Sequence, residues 1–166
     1  MKIEKLTGDI TDEYVNLMVQ AVERQPESFR IAVSDVSGAP PFAAQAADDF
    51  TLGAFGDDGK LVGVVSFARE KQEKLRHKGL IYRMYVASSN AGKGIGRALL
   101  RAAIVEARKN QGLERLNLTV VASNERAKNL YKSEGFISFS LEKQAIKIGA
   151  DYFDEETMAL SFENGK

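Results

Sequence analysis

The chain has 166 residues, 44% hydrophobic and 28% charged, which suits one globular domain with a sizeable core. Lys+Arg and Asp+Glu both number 23, a balance that excludes the basic excess of a general nucleic-acid or anionic-membrane binder. The absence of cysteine and the single histidine, His77, exclude disulfides, thiolate nucleophiles and a clustered Cys or His metal centre, so no metal is expected.

No apolar run approaches the roughly 20 residues that span a bilayer, and Met1-Lys2-Ile3-Glu4-Lys5 is not followed by an apolar stretch of signal-peptide type. The expectation is a cytoplasmic protein with a single domain over residues 1–166. Residues 2–6 alternate as a short strand. Over residues 12–24, Tyr14, Leu17, Met18, Ala21 and Val22 share one helical face. Pro26, Gly38, Pro40 and Pro41 break residues 25–49 into a mobile loop, with a short helix expected over 42–49.

Residues 50–55 and 61–68 read as strands joined by the turn Asp57-Asp58-Gly59-Lys60, hence a hairpin. The charged stretch 69–78 reads as a solvated loop, and 80–86 as a strand. A helix follows over 97–109, with Ala98, Leu99, Ala102, Ala103 and the neighbourhood of Val105 inward and Gly112 beyond its end. Residues 116–121 read as a strand, 124–134 as a helix stopped by Gly135, and 136–141 and 152–162 as closing strands. The fold class expected is mixed α/β (α+β), with an antiparallel start and a β-loop-α-β-α centre.

The segment Val86-Ala87-Ser88-Ser89-Asn90-Ala91-Gly92-Lys93-Gly94-Ile95-Gly96-Arg97 joins a strand to a helix. Alternating glycines let the backbone turn tightly and approach a ligand closely. The helix head supplies unpaired N–H groups and a partial positive charge, and Lys93 and Arg97 add full charges, so the loop suits a phosphate or pyrophosphate. The same pattern also serves as a plain strand-to-helix connection. It is not a P-loop, because Lys93 is followed by Gly94 rather than Ser or Thr. It is not a dinucleotide fingerprint either, because the third glycine comes one residue early.

Downstream, Asn124 can cap a helix on which Ala127, Leu130 and Tyr131 share a face. Alone, Tyr131 reads equally as a packed aromatic. The loop Gly92–Leu100, taken together with Asn124, Ala127, Leu130-Tyr131 and Gly135-Phe136, resembles the GNAT superfamily of acetyl-CoA-dependent N-acetyltransferases, and the likeness runs from about residue 50 onward.

That resemblance implies a mostly antiparallel twisted sheet of six to seven strands with about four helices, its central strands 80–86 and 116–121 splayed. It implies acetyl-CoA as acyl donor. The loop Ala91, Gly92, Lys93, Gly94, Ile95, Gly96 and Arg97 would hold the pyrophosphate, and main-chain groups of Met84, Tyr85 and Val86 the pantetheine arm. Asn124 would reach the pantetheine amides, Lys132 would lie near the coenzyme, and Tyr131 would face the sulfur.

The acceptor, a small-molecule amine or a protein amino group, must attack as a neutral amine although alkylamines ordinarily titrate near ~10.4. A backbone N–H in residues 84–86 would stabilise the oxyanion. Tyr131 is the candidate general acid. Without cysteine an acyl-cysteine intermediate is impossible, and direct transfer in a ternary complex is expected. Leu80 and Thr119 occupy the positions where relatives carry a glutamate base, and Ala91 and Ser88 replace a usual Arg or Gln and a common proline. The remaining base candidates are His77, an imidazole being suited to neutral pH, and ordered water. Arg83 would pair with an internal carboxylate or bind an acidic part of the acceptor. Phe29 and Arg30 are acceptor-side candidates by resemblance. Asp48, Asp49, Asp154 and Glu155 read as caps or surface charges. A non-catalytic acyl-CoA-binding domain is the alternative, and monomer or homodimer is left open.

Overall fold

The computed structural model describes residues 1–36, 38, 40, 42 and 48–163. The expected helix over 42–49 falls largely on residues 43–47, which lie outside the described residues. The strands are β1 Lys2–Lys5, β2 Phe50–Phe55, β3 Leu61–Arg69, β4 Lys78–Val86, β5 Arg115–Val121, β6 Ile137–Ile148 and β7 Asp151–Ser161. The helices are α1 Thr11–Arg24, the single turn α2 Val33–Val36, α3 Ile95–Ala107 and α4 Glu125–Ser133. One seven-stranded sheet runs β1-β2-β3-β4-β5-β7-β6. Every pairing is antiparallel except β4 with β5. This is the mixed α/β, mostly antiparallel architecture expected.

Each sheet face has its own core. On one face α3 lays Ile95, Leu99, Leu100, Ala103 and Ile104 against Val62, Val65, Phe67, Ile81 and Leu116. On the other, α1 buries the predicted stripe Tyr14, Leu17, Met18, Ala21 and Val22 against Leu6, Val64 and Tyr85. A sheet with apolar residues on both faces needs such a layer on each side, and β3 shows it: residues 61–67 are buried without alternation.

Two sequence readings are corrected. The buried stripe of α3 is Ile95, Leu99, Leu100, Ala103, Ile104 and Ala107, whereas Val105 is 62% exposed. The helix starts two residues before the predicted position, and its inward stripe is rotated toward Leu100, Ile104 and Ala107. The closing hairpin is also longer than 136–141 and 152–162 suggest. β6 extends to Ile148, turns at Gly149 (φ 60°) and returns through Asp151. Residues 142–148 carry little apolar signal because β6 is the sheet edge, paired only with β7 and largely exposed.

The α3 correction gives a direct test. Leu99 has no exposed surface, so Leu99→Ala should lower the denaturant-derived unfolding free energy by about 2–5 kcal/mol. Val105→Ala on the same helix should change it by less than about 0.5 kcal/mol.

Candidate active site

The centre of the sheet comes apart. β5 stays paired with β7 from Arg115 to Val121, and β4 stays paired with β3 up to Val86. Between β4 and β5, however, the ladder consists only of Lys78–Leu80 against Arg115–Asn117. A bulge accompanies the parting. Two residues of β4, Arg83 and Met84, stand against Val65 alone, and Arg83 has φ 49°. Bulges of this kind sharpen local twist and bend the strand that carries them. Past Leu80 the facing edges of β4 and β5 lack ladder partners, and a cleft of about 580 Å³ opens there.

The rim on the α3 side is built by the glycine loop. Ser88–Asn90 makes a 3-10 turn, and Gly94 forms the N-cap of α3 with φ 76°. Gly92 has φ 78°. Left-handed backbone at both positions explains why glycine stands there. A Cβ at either would meet no atom within 4 Å, so the space before the loop is open. Gly96 differs. Its φ is ordinary and a Cβ would make only van der Waals contacts, the nearest with Met84 Cε at 3.5 Å. The protein itself therefore does not require glycine at 96.

α4 forms the opposite rim. Asn124 Oδ1 accepts the Ala127 N–H at 3.1 Å, the expected cap. Tyr131 projects into the cleft, its ring edge-on to Phe136 at 6.0 Å. Its hydroxyl reaches Met84 Sδ at 4.0 Å, and burial pushes its pKa up to about 12. The ring as a whole keeps partial exposure to the cleft. On the α1 side, the turn Pro26–Ser28 and Phe29 close over the opening, with Phe29 edge-on to Tyr85 at 6.2 Å.

Among the predicted site residues, Phe29, Met84, Tyr85, Val86, Ala91, Gly92, Gly94, Ile95, Gly96, Arg97, Asn124 and Tyr131 line this one cleft. Lys93, Lys132, His77, Arg30 and Arg83 do not, and Lys93 and Lys132 are exposed. Arg97 lines it but donates to Glu134 at 2.7 Å; Arg101 and Arg97 together hold the Glu134 carboxyl below its usual range.

Three expectations are corrected. His77 is exposed at the start of β4, where its carbonyl accepts the Glu114 and Arg115 N–H groups. It lies seven residues before Met84, roughly 23 Å along a strand at ~3.3 Å per residue, and cannot serve as a base at the cleft. Arg30 is committed to Glu155 through contacts of 2.6, 3.0 and 3.2 Å. Glu155 is accordingly no surface charge but a buried carboxylate, 5% exposed. Of the two roles expected for Arg83, the first finds no support: no carboxylate pairs with it among the described residues, and its Nη1 lies 3.4 Å from the Tyr14 hydroxyl.

Sequence reasoning missed Gln25, Ser28, Arg126 and Asn129 in the lining. Arg126 and Asn129 were within reach, since residues three apart share a helix face with their neighbours at the rim. Gln25 and Ser28 were not, because an irregular segment has no period. Among the described residues the lining contains no aspartate, glutamate, histidine or lysine, and its charged members are Arg97 and Arg126.

The model of the Acetyltransferase (GNAT) family matches residues 17–136. A mycothiol acetyltransferase from Propionibacterium freudenreichii subsp. shermanii is 30% identical over 140 residues, 82% of this chain and 43% of that protein. The chain thus spans less than half the length of this curated relative. Among solved structures, the acetyltransferase of the GNAT family from Streptococcus pneumoniae is 22% identical with a TM-score of 0.83, covering 97% of this chain and 99% of that one. The structure of yncA from Salmonella typhimurium with its cofactor acetyl-CoA is 20% identical with a TM-score of 0.84, covering 100% and 96%. The family match spans both rims of the cleft, the head of α3 and Asn124 with Tyr131, and the chain belongs to the acetyltransferase (GNAT) family.

Proposed function

We propose that this chain transfers an acetyl group from acetyl-CoA directly to a primary amine in a ternary complex. The observation that carries the reading is the shared cleft, with an anion-ready helix head on one rim and the Tyr131 phenol on the other. Acetyl-CoA fits the residues present. The space before Gly92 and Gly94 is open, the lining has arginines and no acid, and about 580 Å³ is within the ordinary range for small-ligand sites. The Salmonella typhimurium structure of like fold contains acetyl-CoA.

The N–H groups at the start of α3 and in the loop, with Arg126 nearby, would hold the diphosphate. The parted edge of β4, at Met84 to Val86, offers main-chain groups to the pantetheine amides and a backbone N–H to the oxyanion that develops as the amine attacks. When bound, acetyl-CoA supplies the activated thioester carbonyl. Tyr131 donates its proton to the departing sulfur and regains one from solvent. Burial disfavours the phenolate, so this acid stays loaded at physiological pH, and the same dry surroundings raise the proton affinity of a thiolate released beside it. The amine's own proton leaves through water, since the lining holds no carboxylate or imidazole.

That last observation also favours a second reading, a non-catalytic acyl-CoA-binding domain. Tight coenzyme binding with no thiol release across an amine and peptide panel would select it.

Tyr131→Phe should lower kcat by about 10²–10⁴-fold while calorimetry shows acetyl-CoA affinity unchanged; equal turnover would remove the acid. Gly96→Ala should keep or raise Tm, because alanine outranks glycine in a helix by about 0.5–1 kcal/mol. The same variant should weaken acetyl-CoA binding by about tenfold, or 1.4 kcal/mol, since its methyl group enters the ligand's space. The pH profile should rise with the neutral fraction of the acceptor and bend at that amine's own pKa. No falling limb from Tyr131 should appear below about pH 11, because its proton is lost only as pH passes its raised value of about 12. An inflection near neutral pH that ignores the choice of amine would overturn this.

A further inference from the structure

Arg83 occupies a costly position. It lies mid-strand with φ 49°, a left-handed conformation that is unfavourable for a non-glycine residue. The bulge turns it and Tyr82 toward the α1 face. There the guanidinium Nη1 lies 3.4 Å from the buried Tyr14 hydroxyl, and its carbon lies 5.9 Å from the Tyr82 ring. The next residue, Met84, points to the opposite face and meets Tyr131.

A half-buried guanidinium normally finds a carboxylate, because burying charge without one is expensive. Arg30, Arg76, Arg97 and Arg101 each have one. Arg83 has none among the described residues, and the remaining residues of the chain, 37, 39, 41, 43–47 and 164–166, include no Asp or Glu side chain. Asp49, the acid nearest in effect to Tyr82, already accepts the Arg69 N–H at 3.0 Å. The neighbours of Arg83 are instead phenols, which burial keeps protonated and able to donate.

Position supplies the rest. The coenzyme rims, α3 and α4, belong to one face of the sheet, so an acceptor reaches the thioester from the α1 face. The cleft reaches that face at Tyr85 and Phe29. Arg83 Cα is about 3.8 Å from Met84 Cα. We infer that Arg83, held in place by the buried Tyr14 hydroxyl and flanked by Tyr82, forms an anion subsite, and that the preferred acceptor is a primary amine bearing a nearby carboxylate or phosphate. The inference rests on the amine-acetylation reading above. A guanidinium repels the ammonium end of the acceptor while holding its anionic end, which orients a bifunctional substrate.

The test compares n-propylamine, β-alanine and O-phosphoethanolamine by initial rates of thiol release. Wild-type kcat/KM should favour at least one anionic amine over n-propylamine by tenfold or more, and the better of the two identifies the anion. Arg83→Asn, which tolerates left-handed backbone, should bring that ratio to about one, whereas Arg83→Lys should retain part of it. A wild-type ratio of one or below, or an unchanged ratio in Arg83→Asn, overturns the subsite. Should no amine be acetylated, the transfer reading fails, and the subsite is judged by titrating β-alanine and O-phosphoethanolamine into coenzyme-saturated protein. Binding lost in Arg83→Asn supports it. Binding equal in both proteins, or absent from wild type, overturns it.

Discussion

The parting of β4 from β5 is the constraint on which the remainder depends. A sheet closes its ladders wherever it can, since unpaired buried amides and carbonyls are expensive. Here the ladder stops after three residues on each strand while the outer pairings of both strands continue. The bulge at Arg83 and Met84 makes that possible by bending β4 without breaking its bond to β3. The result is polar backbone edge in an apolar setting, available to a ligand that is itself amide-like. The cleft is lined by residues of both faces, Met84 and Tyr131 on the α3–α4 side and Tyr85 and Phe29 on the α1 side.

Around this gap the protein holds its parts rigidly with ordinary means. α3 is anchored by a fully buried stripe, so its N-terminal amides are fixed in space. α4 is fixed by the Asn124 cap and by Lys128, a nearly buried lysine held by Glu156 at 2.8 Å and by the Ala122 carbonyl at 3.0 Å. The segment that closes over the α1 side of the cleft has only the short turn Pro26–Ser28 and is tied down by Arg30 on Glu155. Removing one partner of such a pair leaves a buried charge uncompensated, which is more damaging than never having had the pair.

The chemistry follows from what surrounds each phenol. Tyr131 sits among apolar groups with a thioether as its polar neighbour, an environment that preserves its proton. Tyr14 and Tyr82 sit beside a guanidinium and suit hydrogen bonding. Among the described residues no acidic or imidazole side chain lines the cleft, which is why the proposed transfer leaves proton removal to water. His77, the chain's one imidazole, is spent on nothing at this site because the strand that follows it carries the chain across the sheet before reaching Met84.

Much of the fold was legible in the residues alone. Helical spacing gave the α1 stripe without error, the Asp57–Lys60 turn joined β2 to β3, and Asn124 announced the start of α4. Local rules explain Gly92, Gly94, Asn124 and Tyr131 one by one (left-handed backbone, a cap, a shared helix face), but the expectation that they form one site came from the family resemblance. Tertiary structure alone decided the matters of distance between remote segments. These are the partner of Arg30 across 125 residues, the remoteness of His77, the isolation of Arg83, and the extent of the exposed edge strand β6. Local sequence specifies the conformation of a residue and its near neighbours. Which charges meet, and which are left without a carboxylate, is set by packing that no short-range pattern encodes.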